Sequence, residues 1–207
     1  VTGNAIVAGC RNLLEAMKKP DGTFRSYDEM VAEKLPLRYK GTWTAPFSAC
    51  DIDTGQGDPF STYMYGVLMS EVAVDTTTGK TQVEKMTMVS DCGTIVNRLV
   101  VDGQIYGGLV QGIGLALSED FEDLKKHTTL TGCGIPQAKD APDNIEIIYQ
   151  ETPRPHGPYG ASGVGELPLS APHASIINAI YNACGVRVKH LPAYPEKVLA
   201  GLKELKK

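Results

Sequence analysis

The segment Pro158-Tyr159-Gly160-Ala161-Ser162-Gly163-Val164-Gly165-Glu166-Leu167-Pro168 has three glycines in six residues, and Glu166 is the only residue charged at neutral pH from Gly157 to Ala171. Closely spaced glycines let several backbone N–H groups converge on one concave side, which suits an oxygen-rich anion. A carboxylate among small and apolar neighbours is expected to be desolvated, which raises its affinity for a proton and suits general-base work. The competing reading is a surface loop whose glutamate simply faces water. The segment is no phosphate-binding P-loop, because it lacks Gly-Lys-Ser/Thr, and it lacks the glycine spacing of a dinucleotide fingerprint.

A second stretch is Asp102-Gly103-Gln104, read as the start of a helix. Helix N-termini attract anions through free N–H groups, and Gln104 adds an amide that both donates and accepts. Upstream, Asn97 in Gly93-Thr94-Ile95-Val96-Asn97-Arg98 places another neutral amide on a turn. On this stretch alone the favoured reading is that Asn97 and Gln104 satisfy local backbone groups. In a third stretch, Asp53-Thr54-Gly55-Gln56-Gly57-Asp58-Pro59, turn chemistry competes with ligand binding on equal terms. His127, His156, His173 and His190 form no triad pattern, and no serine sits in a G-x-S-x-G elbow. Nucleophilic hydrolysis therefore has little support.

Helices are expected over 3–18, stopped by Pro20-Asp21-Gly22, over 102–118 with Asp102 as N-cap, over 171–183 capped by Ser170, and over 194–206. Thr2 reads as the cap of the first. Residues 63–75 and 81–90 form the clearest hairpin, turning at Thr76-Thr77-Thr78-Gly79, with Val83, Met86 and Met88 as core or sheet-face residues. A strand is expected over 144–150, a last short one over 186–189, and loop with short extended pieces over 23–62. Gly107, Gly108, Gly112 and Gly114 each cost the 102–118 helix about 1 kcal/mol against Ala, so it persists only where another backbone lies close against it. Helices alternate with strands without a regular βαβ rhythm, so the fold class is α+β, with mixed helices and antiparallel strands.

The 207 residues are 42% hydrophobic and 21% charged with a net charge of −4, enough for a real core and too apolar for disorder. Scattered Lys and Arg, apart from a Lys-rich C-terminal tail, argue against a nucleic-acid partner. No apolar run suggests a membrane partner. Five widely separated cysteines include no metal-ligand spacing, so no metal ligand is assigned and a reducing, cytoplasmic setting is expected. The start at Val1 rather than Met gives the expectation of a segment of something longer.

Asp102-Gly103-Gln104 running into Gly107-Gly108-Leu109-Val110-Gln111-Gly112-Ile113-Gly114, followed later by Gly160-Ala161-Ser162-Gly163-Val164-Gly165-Glu166, resembles the molybdenum hydroxylase (xanthine oxidase) family. The likeness is greatest to its bacterial molybdenum-containing aldehyde oxidoreductases. It covers essentially the whole chain, 1–207, as the C-terminal portion of the molybdopterin-binding region, part of a larger domain. The resemblance implies oxidation of aldehydes to carboxylic acids with water as the oxygen source, with Glu166 as the active-site base beside the metal. It implies that Ser162, Gly163, Val164 and Gly165 hold the anionic groups of molybdopterin cytosine dinucleotide, that Gln104 contacts the pterin end and that Asn97 is a cofactor contact. It also implies [2Fe–2S] clusters that this chain does not ligate, an aldehyde substrate, the remainder of the same enzyme as partner, and a homodimer. Alternatives are a non-catalytic cofactor-carrying or assembly module, a hydroxylase of a heteroaromatic substrate, and a nucleotide-binding protein, for which no ATP or NAD binding is expected.

Overall fold

The apolar periodicity near the N-terminus is realised as α1 (Thr2–Met17) in a computed structural model that describes residues 1–46 and 49–205. Residues 47–48 of the expected loop, residue 206 of the last expected helix and the end of the Lys-rich tail lie outside the described residues. The chain divides into two units: Val1–Tyr63 with Thr152–Ser162, and Met64–Glu151 with the chain from Gly163 onward.

In the first unit, Thr2 lies inside α1 rather than capping it. The Val1 carbonyl already accepts from the Ala5 N–H at 3.1 Å, so the helix begins one residue earlier than expected. The backbone at Gly41 lies against Ala5 and Gly9 more closely than any Cβ would allow, and Asn12 Nδ2 donates to the Lys40 carbonyl at 2.9 Å. Residues 23–62, expected as loop and extended pieces, contain a short helix, α2 (Tyr27–Ala32). Its Ser26 side chain accepts from the Glu29 N–H while Glu29 accepts from the Ser26 N–H, a reciprocal capping box. The 53–59 stretch is turn chemistry: Asp51 Oδ1 accepts from the N–H groups of Asp53 and Thr54, each at 2.9 Å. These bonds, those to Thr54 foremost, hold the Asp51 carboxyl below its ordinary range.

The second unit carries the sheet. β1 (Tyr65–Val74) and β2 (Thr81–Asp91) form the expected antiparallel hairpin, and β3 (Asn144–Tyr149) adds to β2 in parallel. Register places Leu68, Met88 and Ile147 in one row and Ser70, Met86 and Ile145 in the next, all on one face. On that face lie α3 (Arg98–Leu117), through Ile105, Leu109, Ile113 and Ala116, and α4 (Pro172–Cys184), through Ile176 and Ile180. Val83, Met86 and Met88 are buried in this core as expected. The opposite face shows the row Val67, Val89 and Ile148, with Val67 64% and Ile148 46% exposed. The α+β class holds, with one pairing antiparallel and one parallel.

Three further features differ from expectation. α3 starts one turn earlier, with Asn97 as N-cap, because the Asn97 side chain accepts from the Val100 N–H at 3.2 Å; Asp102 is interior. Ser170 does not cap α4. Its hydroxyl donates to the Glu166 carbonyl at 3.0 Å, and Ala171 stands at the cap ahead of Pro172. Residues 186–189 form no strand, and α5 (Pro195–Leu205) ends the described chain. No helix among the described residues is long and apolar enough to cross a membrane.

Candidate functional site

Gly108 and Gly112 lie one turn apart on the buried face of α3, and each receives a proline. A Cβ on Gly108 would sit 2.7 Å from Pro168 Cβ, and one on Gly112 would overlap Pro172. The glycines are therefore needed for close approach, as expected for this helix, and Gly114 does the same against Pro136. Gly107 is different: it is exposed and a Cβ there would meet nothing within 4 Å.

Pro168 ends a short descent of the chain from Gly163. Val164 and Leu167 pack against the core, and Gly66 on β1 leaves room for Leu167, whose Cδ1 is 3.1 Å from the Cβ such a residue would carry. The turn Leu167–Leu169 is 3-10 helical, and the Glu166 carbonyl accepts from the Leu169 N–H at 3.2 Å and the Ser170 hydroxyl. The carbonyl of Glu166 is thus held by two donors while its side chain is exposed. Among the described residues no donor reaches its carboxylate. The expected desolvation is therefore not supplied here, because the apolar neighbours turn inward onto the core rather than around the carboxylate.

Gln104, exposed on α3, donates from Nε2 to the Gly165 carbonyl at 3.4 Å across 61 residues of sequence. The same nitrogen is the nearest atom, at 3.9 Å, to a Cβ placed on Gly165, and a Cβ on Gly163 would meet nothing. Gln104, Gly163, Gly165 and Glu166 therefore present one uncovered edge of the second unit, with Val164 anchoring it from below. Asn97 stands two turns before Gln104 with its side-chain oxygen committed to the cap. Ser162 belongs to the first unit, where its Oγ is buried without a hydrogen-bond partner. The chain leading to it is locally strained, with Tyr159 at φ 54°.

Sequence reasoning missed the anchor beneath this edge. Tyr149, at the end of β3, donates from its hydroxyl to Asp102 Oδ1 at 2.6 Å. Arg98 Nε lies 4.0 Å from Asp102 Oδ2, and its guanidinium carbon 4.9 Å from the centre of the Tyr149 ring. Burial, then the bond to Asp102, pushes the Tyr149 phenol well above its usual range. The i,i+4 spacing of Arg98 and Asp102 was the available signal; reading Asp102 as a cap concealed it. Among the described residues no group of His, Cys, Asp and Glu is arranged to hold a metal ion. A groove of about 920 Å³ in the second unit, bordered by Thr81, Pro136 and Tyr194, shares no residue with the 163–166 edge.

Comparison with known proteins adds the following. The family described as "Molybdopterin cofactor-binding domain" matches residues 1–142. The aldehyde oxidoreductase of Megalodesulfovibrio gigas is 59% identical over 204 residues, covering 98% of this chain and 22% of that protein. The crystal structure of the aldehyde oxidoreductase from Desulfovibrio desulfuricans ATCC 27774 is 65% identical with a TM-score of 0.93, covering 97% of this chain and 22% of that one. The large subunit of nicotine 6-hydroxylase from Paenarthrobacter nicotinovorans is 38% identical over 139 residues, covering 64% of this chain and 17% of that protein. The chain thus spans 22% of the length of the two aldehyde oxidoreductases it matches.

Proposed function

This chain belongs to the molybdopterin cofactor-binding domain family, and on that premise we propose that it forms the cofactor edge and supplies the catalytic base of a molybdenum-containing aldehyde oxidoreductase. The observation that carries the reading is the bond from Gln104 to the Gly165 carbonyl, one residue before Glu166. It gathers two separately encoded motifs on one exposed edge.

The residues present fit a large anionic cofactor. Gly163 and Gly165 leave the backbone open where any side chain would cover it. Neutral amide donors suit an anion whose charge must remain available to the chemistry. By the family resemblance, the backbone of Ser162, Gly163, Val164 and Gly165 would hold the anionic groups, and Gln104 would reach the pterin end. Asn97, its oxygen held by the cap, offers its amide N–H groups. When bound, the cofactor supplies a Lewis-acidic metal and accepts two electrons.

The net reaction takes an aldehyde and water to a carboxylic acid, two electrons and two protons. Glu166 receives the proton of the water oxygen that becomes the second oxygen of the acid, which makes that oxygen nucleophilic toward the carbonyl carbon. A glutamate held at its main-chain carbonyl and free at its side chain can accept that proton and release it to solvent. The desolvation that tunes such a base must come from cofactor, substrate and the rest of the enzyme, because these residues do not provide it.

Within this reading the chain is the C-terminal portion of the molybdopterin-binding region, the cofactor is the cytosine dinucleotide form, and two [2Fe–2S] clusters ligated elsewhere in the enzyme take the electrons. The assembly is a homodimer. Five free cysteines, scattered and unpaired with one another, favour a cytoplasmic setting. The testing experiment is elemental analysis of the natively purified full-length enzyme. About one molybdenum and about four irons per polypeptide are expected; a protein with neither metal that still oxidised aldehydes would overturn the reading.

A further inference from the structure

The edge that carries Gln104 sits on a weak stretch of helix. Gly103 and Gly107 flank Gln104 without neighbours, and Leu99 and Val100 in the preceding turn are exposed. Interior glycines make a helix easy to bend, so its position there depends on tertiary pins. At 3.4 Å the bond from Gln104 to Gly165 is already long, and a shift of a few tenths of an ångström at α3 breaks it.

The first turns of α3 are held to the sheet by the short bond from Tyr149 to Asp102, with Arg98 closing over both. Asp102 is two residues from Gln104, so the register of one sets the reach of the other. We propose that Tyr149 is a positioning residue of the cofactor edge: its hydroxyl, through Asp102, holds α3 where Gln104 meets the Gly165 carbonyl. Among the described residues the Tyr149 hydroxyl bonds to Asp102 and not to the 163–166 segment, so the proposed route to the edge runs through α3. The proposal rests on the assignment of Gln104 as a cofactor contact.

The test compares cofactor loss from full-length, cofactor-loaded enzyme, read as molybdenum and pterin retained during dialysis. The variants are Tyr149→Phe, Gln104→Ala, the double variant, Asp102→Asn, and Ile180→Val as a core change on α4. Tyr149→Phe is expected to accelerate loss about tenfold, the scale of one bond to a charged group. The double variant is expected to match Gln104→Ala alone, and Asp102→Asn, which keeps an acceptor for the phenol, to retain cofactor much better than Tyr149→Phe. Ile180→Val is expected to lower the melting temperature without accelerating loss. Retention at the wild-type rate in Tyr149→Phe, with rapid loss in Gln104→Ala, overturns the positioning role and leaves the cofactor reading standing. Wild-type retention in Gln104→Ala removes the premise and the proposal together. Equal loss in Ile180→Val and Tyr149→Phe reduces Tyr149 to general stability and also overturns it.

Discussion

Gln104 Nε2 lies 3.4 Å from the carbonyl oxygen of Gly165 and donates to it, joining the middle of α3 to the residue that precedes Glu166. Beneath this bond, Pro168 rests in the gap left by Gly108 on the same helix. Two independent contacts, one polar and one steric, therefore set where the Glu166 main chain stands relative to α3.

The steric contact separates two glycines that look alike in sequence. Gly108→Ala forces Pro168 or the helix to move, at a cost of about 1–3 kcal/mol, the usual scale of overpacking. Gly107→Ala enters open space in a helix interior and gains up to about 1 kcal/mol from helix propensity. Hydrogen exchange of α3 amides in the full-length enzyme is expected to quicken in the first and not in the second. Equal effects at both positions would contradict the packing described.

Asn97 carries a cap in this structure and a cofactor contact in the proposal, and two substitutions separate them. Asn97→Ala removes the acceptor for the Val100 N–H and is expected to cost about 1 kcal/mol. Asn97→Asp keeps the cap but replaces an amide donor with a negative charge facing the anion. Its thermal midpoint should match wild type while its molybdenum content falls; full molybdenum content in Asn97→Asp would confine Asn97 to the cap.

Tyr149 predicts an alkaline limit. Burial and the bond to Asp102 both favour the protonated phenol, so its folded-state pKa lies above its unfolded value of about 10. A group raised on folding contributes stability that is whole below the unfolded pKa and lost as pH rises above it. Arg98 opposes the shift and Cys92 adds to it, without changing its direction. The thermal midpoint is expected to fall more steeply above about pH 10 in wild type than in Tyr149→Phe. Identical slopes would show that the phenol titrates as it does in the unfolded chain.

Much of this architecture can be read from residue pattern. The hairpin, α1, β3, α4 and α5 follow their periodicity, and the glycine-rich helix is closely packed as expected at Gly108, Gly112 and Gly114, although proline side chains rather than backbone supply most of the contact. The failures share a cause. Asp102, Ser170 and Thr2 are all good capping residues by type, and each was read as a cap. In the structure Asp102 is taken by Tyr149 from a distant strand, Ser170 by the Glu166 carbonyl, and the first turn of α1 begins at Val1. Local chemistry proposes a cap, and tertiary partners decide among the candidates. Conversely, Ser26-Tyr27-Asp28-Glu29 carried a complete capping-box signature for α2 that went unread amid turn formers. Glu166 is exposed, as the surface-loop reading of its segment holds, and the desolvation read from its apolar neighbours fails because neighbours by type do not say which way they turn.

Turnover of Glu166→Gln in the full-length, cofactor-loaded enzyme bears most directly on the assignment of the base. Glutamine preserves size and the carbonyl anchor to Leu169 and Ser170 but cannot take up a proton. The account predicts molybdenum and pterin content equal to wild type, with kcat for aldehyde oxidation lower by about 10²-fold or more, the scale of general-base catalysis. Near-wild-type turnover at full cofactor content would contradict it.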